Sequence, residues 1–260
     1  MRSRHLGDLT SPEIGSALRA NAILCVPLGS MEQHGPHLPL DTDAVIAEAL
    51  TSLIVTRWGD TYDLWQLPTH ALGLSREHDW AAGTLSLSVQ AMTTLLRELG
   101  REVARALPAK NIAVINGHGG NRGILDAVMG EFRGDFGLNV CALHLGAMMS
   151  PVPDAGLPEI HGGKDETSVM LALAPELVRR ERVGKLQGKP SAKPDAKAVR
   201  ALVLDPAVSW PWSSGDPRIA DRGVMGDAGA ASAQHGKAII ERVVEAAGGV
   251  FKQLRDNRKR

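Results

Sequence analysis

Residues 22–43 read AILCVPLGSMEQHGPHLPLDTD, an apolar run followed at once by a polar loop and the start of a helical pattern. The run Ala22–Leu28 has the length and composition of a buried strand. After the loop, Asp41 and Thr42 are candidate caps for a helix that continues to about Thr56. A strand, a polar loop and a helix in this order predict one unit of an α/β sheet.

The same alternation of strands and helices continues along the chain. Further strands are predicted at Tyr62–Leu67, Asn111–Ile115 and Leu138–Leu145. Further helices are predicted at Ser88–Leu107, Arg122–Phe132, Glu166–Leu173 and Ala230–Arg255. The irregular stretch Gly184–Arg222 is predicted to be an extended loop region. The pattern predicts an α/β fold with a mostly parallel sheet flanked by helices, in a single domain over residues 1–260.

Bulk composition restricts the classes of partner. Lys+Arg and Asp+Glu balance at 29 each, so net charge gives no reason to expect a nucleic acid or an anionic membrane as partner. Cys25 and Cys141 both lie in apolar runs, which predicts buried free thiols. No segment resembles a signal peptide or approaches the roughly 20 apolar residues of a membrane span, and we expect a cytoplasmic protein.

The polar loop after the first strand concentrates metal-ligand chemistry. Glu32, His34 and Asp43 supply the carboxylate and imidazole groups that suit zinc, manganese or iron. A Glu-x-His pair in extended backbone places both side chains on one face. The alternative is a polar surface loop without a metal.

Two further glycine-rich turns carry a histidine. Asn116–Asn121 reads NGHGGN directly after a predicted strand, and the bare backbone lets His118 approach a ligand closely. Because ligands bind beyond the carboxyl ends of parallel strands, this turn and the first loop should share one rim of the sheet. A phosphate-binding turn is the alternative. In HGGKDETS, His161 and Glu166 flank a turn that opens a helix, and a capping box is the alternative there.

Four more residues are candidate substrate-binding residues, each with an alternative. Glu77 and His78 are adjacent, and Glu77 is equally a candidate to orient a ligand histidine or to form a surface pair. Trp210 and Trp212 flank a rigid proline and offer flat faces for a planar ring. Packing of these indoles at a subunit interface or over the core is favoured on general grounds.

Five stretches together resemble the creatininase superfamily of amidohydrolases, over about Ala22 to Lys237. They are GSMEQHGPHLPLDTD, SREHDWAAGTLSL, NGHGGN, HGGKDETSVMLAL and GVMGDAGAASAQHGK. The resemblance implies a homo-oligomeric α/β enzyme, often a hexamer, with two divalent metal ions per chain, zinc or manganese, with iron a further option. The family's metal ligands match Glu32, His34, Asp43 and His118, with Asp43 in the bridging place. The family's catalytic histidine matches His161.

The chain departs from creatininase proper in three places. Gly119 and Gly120 stand where creatininase has Tyr-Glu, so the fifth ligand is assigned to Glu166, as in formamide deformylases and the mycofactocin peptidase. The segment 147–160 contains no Trp, which makes creatinine an unexpected substrate. Ala81 and Ala82 replace the Phe-Pro of the family's Phe-Pro-Gly-Thr, which changes the local substrate wall.

These observations predict metal-dependent hydrolysis of a non-peptide C–N amide bond in a small-molecule amide, a cyclic lactam or a formamide. A metal-activated hydroxide would attack the carbonyl, and His161 would protonate the leaving nitrogen as general acid. A peptidase acting on a small precursor peptide is the alternative within hydrolases, and a non-catalytic metal-binding protein is the alternative from another class. No Gly-x-Ser-x-Gly motif is present to support a serine hydrolase.

Overall fold

A computed structural model describes residues 4–153, 156–183 and 194–257, which contain a four-stranded parallel sheet. The strands are β1 (Ile23–Leu28), β2 (Leu64–Gln66), β3 (Asn111–Asn116) and β4 (Asn139–His144), in the order β2-β1-β3-β4. The helices are α1 (Ser11–Ala17), α2 (Thr42–Tyr62), α3 (Val89–Ala106), α4 (Arg122–Gly134), α5 (Leu145–Met149), α6 (Lys164–Leu173), α7 (Arg180–Val183), α8 (Ala196–Leu202) and α9 (Ala233–Asn257). The α/β prediction with a mostly parallel sheet is therefore confirmed.

The register of the two central strands aligns the loops that follow them. β1 pairs with β3 from Ile23 opposite Asn111 to Leu28 opposite Asn116, so both strands end at the same edge of the sheet. The loop to α2 and the turn before α4 therefore leave from neighbouring positions. This confirms the predicted common rim.

Helices cover both faces of the sheet, which explains why β1 is apolar along its whole length. Ile23 and Cys25 belong to the hydrophobic cluster that contains buried residues of α2, α6 and α9. Leu24 and Val26 belong to the opposite cluster, with residues of α3 and α4. Burial of each aliphatic side chain of this size contributes about 1.5–3 kcal/mol. Among the described residues, no helix combines the length and apolarity that crossing a membrane would require.

The first long helix is longer than the sequence pattern predicts. α2 continues six residues beyond the predicted end at Thr56, and it ends where Asp63 takes a left-handed backbone conformation with φ 55°. Tyr62, predicted as the start of a strand, instead lies in α2 and contacts Trp58 and Phe251. Those ring contacts give the extra helical turn a buried side that local propensity does not reveal.

The prediction of an extended loop over Gly184–Arg222 was wrong in one part, because a short helix forms there. Residues 184–193 lie outside the described residues, but α8 forms within the rest of the stretch. Oδ1 of Asp195 caps this helix by accepting the backbone N–H of Lys197 at 2.9 Å. Val199 is buried against Ile219 and Met225 in a small hydrophobic cluster. This separate cluster stabilises a short helix whose sequence signal is hidden by neighbouring Lys and Pro.

Two glycines allow the strand ends to touch the first turn of α2. A Cβ on Gly29 would lie 2.5 Å from the backbone nitrogen of Ala44. A Cβ on Gly117 would lie 2.5 Å from the backbone oxygen of Asp43. Any side chain at either position would therefore push α2 away from the edge of the sheet.

Replacing Gly117 by alanine should lower the free energy of unfolding by about 1–3 kcal/mol, because the added methyl meets backbone that moves only with α2. Gly119→Ala is the matched control, since a Cβ there has no atom within 4 Å. It should change stability by no more than about 0.5 kcal/mol. Denaturant unfolding of both variants beside the wild type measures the difference, and equal losses would contradict crowding at α2.

Candidate metal centre

Asp43 occupies a bridging position between two histidines. It lies in the first turn of α2, and its side chain is buried. Its Oδ1 is 3.2 Å from Nε2 of His34, and its Oδ2 is 3.1 Å from Nδ1 of His118. One carboxylate oxygen therefore faces each histidine, and the positive end of the helix dipole favours the negative charge.

A second carboxylate completes a group around each histidine. Oε2 of Glu32 lies 3.1 Å from Nδ1 of His118. Oε2 of Glu166 lies 3.5 Å from Nε2 of His34. Two triplets result, one of His34, Asp43 and Glu166 and the other of Glu32, Asp43 and His118, and in each the ligand atoms lie within 4.8 Å of one another. All five sequence-predicted ligands thus come together, with Asp43 shared.

The donor set fits divalent metal ions. Both oxygens of Glu32, Nε2 of His34 and Oδ2 of Asp43 are buried without a hydrogen-bond partner in the structure. Unpaired buried groups of this kind are costly unless a cation meets them. Mixed carboxylate and imidazole donors suit zinc, manganese or iron.

The far side of the His118 ring is held by protein atoms. Its Nε2 lies 3.0 Å from the backbone oxygen of Leu74 and 3.3 Å from Oε1 of Glu77. Glu77, predicted as a substrate-binding residue, therefore contacts a candidate ligand histidine. A Cβ on Gly120 would come within 2.4 Å of the same Glu77 oxygen, which explains a glycine at this place. The carboxylates of Glu32, Asp43 and Glu77 around His118 would repel a phosphate, so they disfavour the alternative of a phosphate-binding turn.

Two more buried histidines stack beside the candidate ligands. The ring of His161 lies 4.0 Å from that of His78 and 4.3 Å from that of His34, measured between centroids. Nε2 of His161 donates to the backbone oxygen of Gln33 at 2.6 Å. The other ring nitrogen, Nδ1, therefore carries a lone pair in the neutral form, and it faces Oε1 of Glu32 at 3.5 Å.

The surroundings divide the histidines into two electrostatic classes. Burial opposes the charged form of His34, but Glu166 and Asp43 outweigh it and raise its pKa well above the ordinary value. For His118, burial is likewise outweighed by Glu32 and Asp43, and its pKa is also well raised. Burial alone would raise the pKa of Asp43, but these two histidines hold it well below the usual range.

The second class consists of His78 and His161, which the structure keeps neutral. Burial, followed by the neighbouring His161, lowers the pKa of His78 far below its ordinary value. Burial and the neighbouring His34 lower the pKa of His161. A neutral imidazole can accept a proton during a reaction and pass it on.

Trp210 and Trp212, the two candidate substrate-binding tryptophans, differ in their positions. The ring of Trp212 meets His78 edge-on at 6.0 Å between centroids and packs on the small cluster around Val199. Trp210 is 53% exposed. Trp80, which sequence reasoning did not select, is half exposed and donates its indole N–H to Oγ of Ser214 at 2.9 Å.

Sequence reasoning also missed two polar residues of the site, Gln33 and Ser214. Nε2 of Gln33 lies 3.1 Å from Nδ1 of His78, and Oγ of Ser214 lies 2.6 Å from the same atom. Gln33 lies between two predicted ligands in the sequence, which is a usable signal. Ser214 is separated from His78 by 136 residues and has no such signal.

Comparison with known proteins identifies the family of the chain. The family model described as "Creatininase: Creatinine amidohydrolase" matches residues 7–250. The chain belongs to the creatininase family. It is therefore a metal-dependent amidohydrolase that acts on C–N bonds, and the alternative of a non-catalytic metal-binding protein is set aside.

Relatives and solved structures agree over nearly the whole chain. The mycofactocin precursor peptide peptidase of Mycobacterium tuberculosis (strain ATCC 25618 / H37Rv) is 34% identical over 252 residues, 92% of this chain and 87% of the relative. The creatinine amidohydrolase of Pseudomonas putida is 27% identical over 265 residues, 94% of each chain. Solved creatininases of a manganese form and a Zn-Zn type are 25% and 26% identical, each with a TM-score of 0.74 over 97% of this chain and 98% of theirs.

Zinc uptake by the metal-free protein should release protons at pH 7, because His34 and His118 have raised pKa values and must lose their protons to bind a cation. Both rings are protonated below their raised pKa, so apparent zinc affinity should increase as the pH rises from about 6 to about 8. Calorimetric titrations in PIPES and HEPES buffers, which differ in ionisation enthalpy, measure the protons released. Binding heats that are identical in the two buffers would contradict the assignment.

Proposed function

We propose that this creatininase-family enzyme hydrolyses its amide with two divalent metal ions per chain, zinc or manganese, with iron a further option. The observation that carries the proposal is the pair of ligand triplets that share Asp43. The charge agrees, since the carboxylates of Glu32, Asp43, Glu166 and Glu77 carry four negative charges, which two divalent cations offset. Among the described residues, every recorded ion pair of these carboxylates is with a histidine.

The ligand residues would hold the ions, and His161 would move the proton. When bound, the two ions would polarise an amide carbonyl and lower the pKa of a water towards about 7. Nδ1 of neutral His161 faces the Glu32 side of the site, where it can take up a proton and deliver it to the leaving nitrogen. Its Nε2–H bond to the Gln33 backbone keeps the ring in that orientation.

A second role for His161 is consistent with the same geometry. His161 forms a third possible ligand group with Glu32 and His34. A proton carrier and a metal ligand make different predictions for an alanine variant, because only loss of a ligand removes metal. We assign the proton-carrier role, since two complete triplets exist without His161.

Two substrate classes follow from different observations. The candidate ligands lie deep in the structure, with Glu166 the most open at 14% exposed, which favours a small cyclic amide or formamide. The 34% identity to a mycofactocin precursor peptide peptidase, against 27% to a creatinine amidohydrolase, favours cleavage of a short peptide. Assays of lactams, formamides and short peptides with the zinc and manganese forms separate the two classes.

Three expectations from the sequence stay predictions. They are that the protein forms a homo-oligomer, that residues 1–260 form one domain, and that the protein is cytoplasmic.

His118→Ala and Glu166→Gln should each lose metal and activity together, because each removes a ligand from one triplet. His161→Ala should keep wild-type metal content while kcat falls by about 10²–10⁴-fold, the usual contribution of general acid–base catalysis. Metal analysis after gel filtration, combined with turnover of the best substrate in the panel, measures both quantities.

His70→Ala is the control for this series, since His70 lies outside all three ligand groups. It should keep both metal and activity. Metal loss in His161→Ala equal to that in His118→Ala would make His161 a ligand. Two metals retained by Glu166→Gln would place the fifth ligand elsewhere.

Trp212→Leu should raise KM by about three- to tenfold, equivalent to the ~0.5–1.5 kcal/mol of a lost aromatic contact. Its ring reaches His78, whereas Trp210 is more than half exposed, so Trp210→Leu should change KM less. Steady-state kinetics and melting temperatures of both variants decide between a pocket and a packing role. A lower melting temperature with unchanged KM in Trp212→Leu would assign the residue to packing.

A further inference from the structure

The segment that follows Trp212 delivers a buried hydroxyl to the site. Ser214 is 1% exposed, and its backbone nitrogen donates to the backbone oxygen of Glu77 at 3.0 Å. The next residue, Gly215, lies against the Trp80 ring, where a Cβ would come within 3.2 Å of ring atoms. This anchoring places Oγ of Ser214 at 2.6 Å from Nδ1 of His78.

The hydrogen bonds around Ser214 decide where its proton points. Oγ accepts the indole N–H of Trp80 at 2.9 Å, and the side-chain amide of Gln33 approaches it at 3.2 Å. Nε2 of Gln33 has one proton besides the one it gives to Gly223, and when that proton meets Oγ the hydroxyl accepts two bonds and has its own proton to donate. The nearest acceptor is Nδ1 of His78, since the alternative, the backbone oxygen of Glu77, lies at 3.4 Å.

The orientation of the Gln33 amide supports the same conclusion. Its Oε1 accepts the backbone N–H of Gly35 at 2.9 Å, and its Nε2 donates to the backbone oxygen of Gly223 at 3.0 Å. These two bonds fix which end is nitrogen. The nitrogen end also lies 3.1 Å from Nδ1 of His78 and 3.0 Å from Nε2 of His161. Its second proton meets either Ser214 or His78, and in both arrangements Nδ1 of His78 faces donors.

We propose that Ser214 is a positioning residue that fixes His78 as the Nε2–H tautomer and so directs a ring proton at Glu32. Nε2 of His78 lies 3.4 Å from Oε1 of Glu32. In the opposite tautomer both rings would present lone pairs to this oxygen, since Nδ1 of His161 already does so at 3.5 Å, and the oxygen would have no ring proton beside it, which is electrostatically unfavourable. With the proton in place, Oε1 is held towards His78 while Oε2 faces His118.

The consequence for metal binding rests on the proposed function, in which Glu32 is a ligand. Groups that orient a ligand by hydrogen bonding change metal affinity about 10–100-fold when they are lost. Ser214 would act on Glu32 through His78. The chain thereby joins two distant segments, 30–34 and 212–215, into one support for the carboxylate.

The test compares S214A with S214T, which restores a hydroxyl, and with S213A, the same change one residue away. The Ser213 hydroxyl accepts the backbone N–H of Gly215 and serves as the matched control. Nitrogen-15 NMR of labelled histidines in the metal-free proteins reports the tautomer of His78, with H78N used to assign its signals. Zinc affinity is measured separately by competition with a chelator, and melting temperatures report the fold.

We expect the wild type and S213A to show a pure Nε2–H tautomer at His78. S214A should show a mixture of the two tautomers and bind zinc about tenfold more weakly or worse, and S214T should return both measures towards wild type. An unchanged His78 tautomer in S214A would overturn the inference, even if the melting temperature fell. A changed tautomer with unchanged zinc affinity would overturn the link to Glu32. If the wild type bound no zinc, the proposed function would fail, while the tautomer measurement would still decide the role of Ser214.

Discussion

The structure depends on the neutralisation of buried negative charge at one edge of the sheet. Four carboxylates lie within contact distance of four histidines, and two of the carboxylates, Glu32 and Asp43, approach the same nitrogen of His118. Unpaired charges of this kind are too costly to bury, so protons or metal ions must accompany them. The raised pKa values of His34 and His118 allow these rings to carry protons that neutralise the carboxylates. Divalent cations would neutralise the same carboxylates in the metal-bound enzyme. The acidic site is thus stable only with positive charge beside it, carried by protonated histidines or by metal ions.

The fold meets this constraint by bringing two strand-to-helix connections together, from β1 to α2 and from β3 to α4. β1 and β3 end side by side, so their loops contribute Glu32 and His118 to one place. α2 begins in contact with both strand ends because Gly29 and Gly117 have no side chains. That contact sets the position of Asp43, whose carboxylate contacts His34 and His118. A parallel sheet with a ligand site beyond its carboxyl edge is the usual arrangement of such folds, and here the glycines set its spacing.

The site also separates histidines whose charged form is favoured from histidines that are held neutral. His34 and His118 lie directly against carboxylates, which favour their charged forms. His78 is stacked on His161, and burial and this neighbour disfavour its charged form, while burial and His34 disfavour the charged form of His161. Their outer nitrogens are held by Gln33 and Ser214, which fixes the direction of each ring. Burial and neighbouring charged groups therefore give identical side chains different preferences for the charged form.

The sequence by itself indicated the fold class, and its resemblance to the creatininase superfamily supplied the five candidate ligands, with Glu166 taken from other branches of the family. Three features can be seen in the sequence because they depend only on neighbouring residues. They are the strand and helix periodicity, the ligand chemistry of residues 32–43 and the glycine-flanked His118. The tertiary structure alone decided what depends on contacts between distant residues. The extension of α2 past Thr56 requires packing on Phe251, and helix α8 requires a separate cluster with Ile219. Ser214 reaches His78 across 136 residues, and no spacing in the sequence indicates that contact. Glu77 was a candidate to orient a ligand histidine, but folding decided that the histidine is His118, 41 residues away. Such roles arise because folding places hydrogen-bonding groups within 3–4 Å of each other without regard to their separation along the chain.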